Sequence, residues 1–310
     1  MRTRPVSIAV ILIALVVGGL LGVLFERSIG LESVLFALGM EDLLKAEKEP
    51  RTGVAGIPSE YQGELQLFIL AGQSNMAGYG DLPESASAPD PRVYVFGNDY
   101  RWKLATDPVD DPFNQVDRVS EDIDAGFGPS LSFASAILEN HPDMLIGLVP
   151  CAKGNTTIYE WQRNLSDDSL YGSCLKRTRA ASNMGEVAGL LFFQGEADAL
   201  DARRHRERTL LPDQWGEHFS VFVSDWRADL GMPELPVIFA QIGTTTRSDI
   251  YPNWAIVQLQ QEQVQLPFVE MISTRDLTLQ DEVHFSTEAY RSIGRRLAEG
   301  YLAILEGHEE

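Results

Sequence analysis

The sequence predicts a three-layer α/β domain built on a parallel sheet, spanning residues 63–306 of a 310-residue chain. Two patterns carry that prediction. Short apolar runs recur along the chain, and they are continuous rather than alternating. Continuous runs mean that both faces of each strand are covered, the mark of a parallel sheet. Helix-length segments stand between the runs, and strand–helix alternation puts helices on both faces of the sheet.

In chain order the expected strands are Leu65–Ala71, Val93–Phe96, Met144–Val149, Val187–Phe193 and Val237–Ile242. A further run, Phe268–Ile272, either extends the sheet or leads into the last loop. The expected helices are Ser130–Glu139, Leu170–Met184, Trp215–Leu230, Ile256–Gln265 and Thr287–Leu305. Between the second strand and the first of these helices, residues 107–124 carry seven acidic side chains and one basic one, Arg118. That stretch reads as a solvated insertion or as a lid over the sheet edge, because long irregular loops are often functional. Trp102 and Trp161 are suited either to the core or to stacking on a sugar ring.

Ahead of the domain, Val6–Phe25 is apolar apart from Ser7 and small residues, and Arg2 and Arg4 precede it. About 20 apolar residues span a bilayer as a helix, and flanking arginines keep the N-terminus in the cytoplasm. The expectation is a signal-anchor transmembrane helix over residues 1–25, or a cleaved signal peptide. Residues 26–62 then form a stalk or linker, and residues 307–310 a tail. On either reading the domain is extracytoplasmic, membrane-anchored in the first case and secreted in the second. Cys151 and Cys174 are the only cysteines. In an oxidising compartment such a pair is more readily joined than free, although two buried thiols are the alternative. The net charge of −20 argues against a nucleic-acid partner, which requires a basic footprint.

In a parallel sheet, ligands sit beyond the carboxyl ends of the strands. Gly72-Gln73-Ser74-Asn75-Met76 follows the first strand, Cys151-Ala152-Lys153-Gly154-Asn155-Thr156-Thr157 the third, and Gln194-Gly195-Glu196-Ala197-Asp198 the fourth. Asp281 and His284 stand just before the last helix. These residue types suit acyl transfer: a serine hydroxyl is a weak nucleophile until an imidazole takes its proton, and a carboxylate must orient that imidazole. Ser74 is the candidate nucleophile and His284 the candidate base. Asp281, three residues away, is the candidate orienter, with Glu196 as the alternative. The side-chain amide of Gln194 and the backbone N–H groups of Ser74 and Gly154 are the candidate oxyanion donors. Gln73, Asn75 and Glu196 are supporting residues. No P-loop, dinucleotide loop or H-E-x-x-H motif appears, so neither a metal nor an organic cofactor is expected.

Ile69-Leu70-Ala71-Gly72-Gln73-Ser74-Asn75-Met76 resembles the first signature of the sialate O-acetylesterase-like family, which includes carbohydrate esterase family 6. Gln194–Ala199 resembles its third signature, and Asp281-x-x-His284 its last. Gly128–Ala134 is similar to a family segment ahead of the third strand. The resemblance implies an SGNH-hydrolase, flavodoxin-like fold and a Ser74–His284–Asp281 triad that removes O-acetyl groups from carbohydrate. The chain departs from the pattern at Asn155, Phe193 and Ala197. A broader lipase or acyl-ester hydrolase on the same triad is the alternative enzyme, and an anchored sugar-binding protein without turnover the alternative class.

Overall fold

The computed structural model describes residues 56–84 and 88–307. They form a mixed α/β fold around one sheet of seven strands: β1 (Leu65–Gly72), β2 (Val93–Phe96), β3 (Trp102–Leu104), β4 (Leu145–Pro150), β5 (Gly185–Phe193), β6 (Val237–Ala240) and β7 (Val269–Ile272). The strand order is β3-β2-β4-β1-β5-β6-β7, and every neighbouring pair is parallel except β2 with β3. Phe268–Ile272 therefore extends the sheet, with β7 at one edge. At the other edge, β3 was not expected. Three half-buried residues are too few to show a period, and pairing with β2 alone makes them a strand.

The helices are α1 (Ser74–Ala77), α2 (Ser130–Asn140), α3 (Leu170–Ala181), α4 (Trp215–Leu230), α5 (Trp254–Glu262) and α6 (Thr287–Glu306). Aromatic contacts show how they cover the sheet. Phe68 of β1 meets Phe133 of α2 at 4.8 Å and Tyr301 of α6 at 5.0 Å, both edge to face. Phe192 of β5 meets Phe222 of α4 at 4.8 Å, and Tyr171 of α3 packs on Trp226 of α4 at 5.0 Å. Such ring pairs add to the burial that holds each layer to the sheet. Trp161 is fully buried and donates its indole N–H to Thr156 Oγ1, so it belongs to the core.

After β1 the chain builds the β2 and β4 side of the sheet, then crosses to the β5 side. The switch lies at the carboxyl end of β1, flanked by the ends of β4 and β5, where open parallel sheets place their ligands. The register sets Leu70 beside Pro150 and Gly72 beside Phe193, so the three loops that follow are neighbours.

A disulfide joins Cys151, just after β4, to Cys174 of α3, with the Cα atoms 5.4 Å apart across 23 positions of chain. Both cysteines are buried. Closing a loop of that length contributes about 3 kcal/mol through the entropy of the unfolded chain. Reduction should therefore lower the melting temperature by roughly 6–12 °C in a scanning calorimeter; an unchanged transition would mean that the bridge adds nothing.

The membrane helix is a correction. Among the described residues, no helix is long and apolar enough to cross a membrane. The longest, α6, carries Glu288, Arg291, Arg295, Arg296 and Glu299 along an amphipathic surface. The segment expected as the anchor, residues 1–25, lies outside the described residues.

Candidate active site

The site starts at the end of β1. Gly72 has φ +133°, and a Cβ there would lie 2.2 Å from the Phe193 carbonyl oxygen. Only glycine lets β5 approach so closely. The same carbonyl accepts the Gln73 N–H at 2.8 Å, which pins the turn into α1. Ser74 therefore opens α1 at a fixed place beside β5.

From there one chain of hydrogen bonds runs outward. Ser74 Oγ lies 2.9 Å from His284 Nε2, and His284 Nδ1 lies 2.7 Å from Asp281 Oδ2. The other Asp281 oxygen accepts the backbone N–H groups of Val283 at 2.9 Å and His284 at 2.8 Å. Partial burial pushes the Asp281 pKa up, but the imidazole and the two N–H donors outweigh it and hold the carboxyl at about 2. Asp281 is thus an ionised, oriented acceptor across the neutral range.

The supporting residues tie the loops together. The Asn75 amide donates to Glu196 Oε1 and to the Val283 carbonyl, and its oxygen accepts the Tyr290 hydroxyl at 2.6 Å. One side chain therefore joins the loops after β1 and β5 to the His284 loop. The Gln73 oxygen faces the Gln194 amide at 3.3 Å and the Ala197 N–H at 3.4 Å. Glu196 is buried, and burial raises its pKa. Its carboxylate is turned to Asn75 rather than to His284 Nδ1, which Asp281 occupies.

Two of the three expected oxyanion donors already have partners within the fold. Gln194 is fully buried and both of its amide protons are used, on the Thr156 carbonyl and Asp198 Oδ2, each at 2.8 Å. Its oxygen accepts the Trp215 indole N–H at 2.8 Å. Gln194 is the centre of a closed internal network, and Ala in its place should cost on the order of 3 kcal/mol by orphaning these groups. Denaturant melts of Gln194→Ala should show that loss, while turnover per folded site stays within a few-fold of the parent. The Gly154 N–H is also taken: it donates to Asp122 Oδ2 at 2.5 Å. Among the described residues nothing takes the Ser74 N–H.

Asp122 belongs to the acidic stretch, whose inner side forms a buried wall while Asn114, Val116, Arg118, Ile123 and Asp124 stay exposed. Asp110, Asp117, Ser120 and Asp122 are all buried. Arg177 of α3, with no exposure, anchors the stretch through Asp117 at 3.5 Å, Ser120 Oγ at 3.3 Å and Asn98. Burial pushes the Asp110 carboxyl up to about 7. Two successive residues of the loop after β4 are gripped from this wall: the Lys153 ammonium by the Glu121 carbonyl, and the Gly154 N–H by Asp122.

Sequence reasoning missed Tyr79 as well as Asp122. The Tyr79 ring stacks on the His284 imidazole, with centroids 4.6 Å apart and planes inclined by 29°. Its hydroxyl donates to Asp122 Oδ1 at 2.7 Å. The only signal available was the acidic stretch itself, which marked a region without selecting a residue. Among the described residues, no group of three or more His, Cys, Asp or Glu side chains is arranged to hold a metal ion.

Comparison with known proteins adds a family to this geometry. Residues 64–303 match the family described as "Carbohydrate esterase, sialic acid-specific acetylesterase". The chain is 32% identical over 259 residues to a probable carbohydrate esterase of Arabidopsis thaliana, covering 77% of this chain and 90% of that protein. An X-ray structure of the Arabidopsis protein is similar with a TM-score of 0.65 at 31% identity, over 77% of this chain and 98% of that one. A carbohydrate acetylesterase from Xanthomonas citri shares the fold with a TM-score of 0.57 at 20% identity, over 78% of this chain and 57% of its own. The crystal structure of NanS does so with a TM-score of 0.59 at 19% identity, over 80% of this chain and 99% of its own. With a family match over most of its length and a relative at 32% identity, the chain belongs to the sialic acid-specific acetylesterase family of carbohydrate esterases and is a carboxylic ester hydrolase.

Proposed function

We propose that the enzyme removes O-acetyl groups from carbohydrate by transferring the acetyl group to Ser74, with His284 as general base and Asp281 as the carboxylate that orients it. The observation carrying this reading is the unbroken run of hydrogen bonds from Ser74 Oγ through both imidazole nitrogens to Asp281. Ser74 Oγ attacks the acetyl carbonyl carbon while its proton passes to His284 Nε2. The bond from that carbon to the sugar oxygen then breaks, and the imidazolium returns the proton to the leaving oxygen. Water, deprotonated by the same imidazole, hydrolyses the acetyl-serine and releases acetate. Asp281, ionised throughout, stabilises the imidazolium formed in each half-reaction. The Ser74 N–H stands beside the attacking oxygen and is the donor assigned to the developing oxyanion.

Family membership supports an acetylated carbohydrate as the substrate. The Cys151–Cys174 bridge supports an oxidising, extracytoplasmic compartment as the place of work. The test is acetate release from acetylated xylan, O-acetylated sialic acid and an acetylated bacterial polysaccharide, with a long-chain acyl ester for comparison. Acetate from at least one sugar, in preference to cleavage of the long-chain ester, is the expected result. Cleavage of the long-chain ester alone would make the enzyme a lipase on the same residues.

A further inference from the structure

The reaction needs more from His284 than two hydrogen bonds. Contacts at Nδ1 and Nε2 fix the ends of the imidazole but leave the tilt of its plane free, and the ring must accept and return a proton without swinging away from Ser74. Tyr79 supplies the missing constraint, because its ring lies against the imidazole face. That face also favours the ring once it is charged, since an aromatic quadrupole attracts a cation. The charge exists in the transition state and not in the resting enzyme, so the attraction acts on turnover more than on substrate binding.

Tyr79 is itself held from behind. Its hydroxyl donates to one oxygen of Asp122, and the other oxygen of that carboxylate accepts the Gly154 N–H. Burial first, and then the Asp122 charge, push the Tyr79 hydroxyl well above its usual pKa, so it remains a donor. The approach is close: a Cβ on Gly154 would lie 2.5 Å from the Tyr79 hydroxyl and 2.9 Å from Asp122 Oδ2. Asp122 in turn sits in the wall anchored by Arg177. A carboxylate on the Gly154 N–H would repel a developing oxyanion there, so this N–H serves to hold Asp122 rather than to meet the substrate.

We propose that Tyr79 and Asp122 are positioning residues of the hydrolase: the Tyr79 ring fixes and electrostatically favours the His284 imidazolium, and Asp122, held by Gly154, fixes Tyr79. The acidic stretch thereby joins the histidine loop to the loop after β4. The inference rests on the reading of His284 as general base, and the experiment separates the two.

Tyr79→Phe, Tyr79→Leu, Asp122→Asn, Asp122→Ala and the double variant Tyr79→Phe/Asp122→Ala are compared with the parent on an aryl acetate and on the preferred acetylated sugar. Active sites are counted by titration with a serine-directed fluorophosphonate. Tyr79→Leu, which loses the ring, should lower kcat by about tenfold or more with KM within twofold. Tyr79→Phe keeps the ring and should lose about threefold. Asp122→Ala should match Tyr79→Phe, and the double variant should be no worse than either single one, because both substitutions cut the same bond. Asp122→Asn retains an oxygen for Gly154 and an amide donor for the Tyr79 oxygen, and should recover most of the parent's kcat. If Asp122→Ala fails to fold, the comparison of Tyr79→Phe with Tyr79→Leu still decides. Parental kcat in Tyr79→Leu, equal losses in Tyr79→Leu and Tyr79→Phe, a raised KM at unchanged kcat, or a gain of activity in Asp122→Ala would each overturn the inference. His284→Ala is the control: near-parental activity there would overturn the general-base reading itself, whereas an inactive His284→Ala beside an unimpaired Tyr79→Leu overturns only the positioning role of Tyr79 and Asp122.

Discussion

Replacing Ser74 with alanine should lower kcat by about 10⁴- to 10⁶-fold while leaving the fold and the melting temperature close to the parent's. The size follows from cooperation within the proposed triad: if Ser74 is the nucleophile, its loss leaves His284 and Asp281 no proton to move, and only binding and the oxyanion donor remain. The fold survives because Ser74 contributes a hydroxyl whose one described contact is to His284 Nε2, at a position already pinned by Gly72 and Gln73. The measurement is steady-state acetate release by protein of verified circular dichroism. Turnover near the parental value would remove Ser74 from the chemistry, and the proposed mechanism with it.

The second large effect separates two carboxylates. Asp281→Asn should lower kcat by about 10⁴-fold, because an amide at Nδ1 no longer enforces the tautomer with a free Nε2, nor stabilises the imidazolium. Glu196→Gln should cost far less. Its carboxylate lies on Asn75, and an amide oxygen there can still accept that bond. Its damage should appear as lower stability of the loop after β5. Equal or greater loss of turnover in Glu196→Gln would reverse the two roles.

The sequence made these residues visible for physical reasons. Ser74 and the Gln194 loop directly follow continuous apolar strands, and Asp281 and His284 sit one turn apart ahead of a clear helix, so each could be placed from local pattern alone. What local pattern cannot show is whether a donor is already spent. Gln194 looks free in the sequence and is saturated in the fold by Thr156, Asp198 and Trp215, the last two on separate elements. Gly154 is satisfied by Asp122, 32 positions earlier in the chain. Tyr79 and Asp122 meet only because a long loop without periodicity docks through a buried arginine, and no spacing rule encodes that contact. The strand Trp102–Leu104 escaped notice for a related reason, since its partner rather than its composition makes it a strand.

The bridge between Cys151 and Cys174 has a use beyond its contribution to stability. Both cysteines are buried, Cys174 lies on α3 itself, and the Arg177 anchor of the acidic wall is on the same helix. A small thiol in solvent cannot reach the bond while the helix is seated. The rate at which dithiothreitol cleaves it under native conditions therefore acts as a clock for the unseating of α3, read on a non-reducing gel without any engineered label. If substrate quietens the active-site end of the sheet, that clock should slow when acetylated sugar is present.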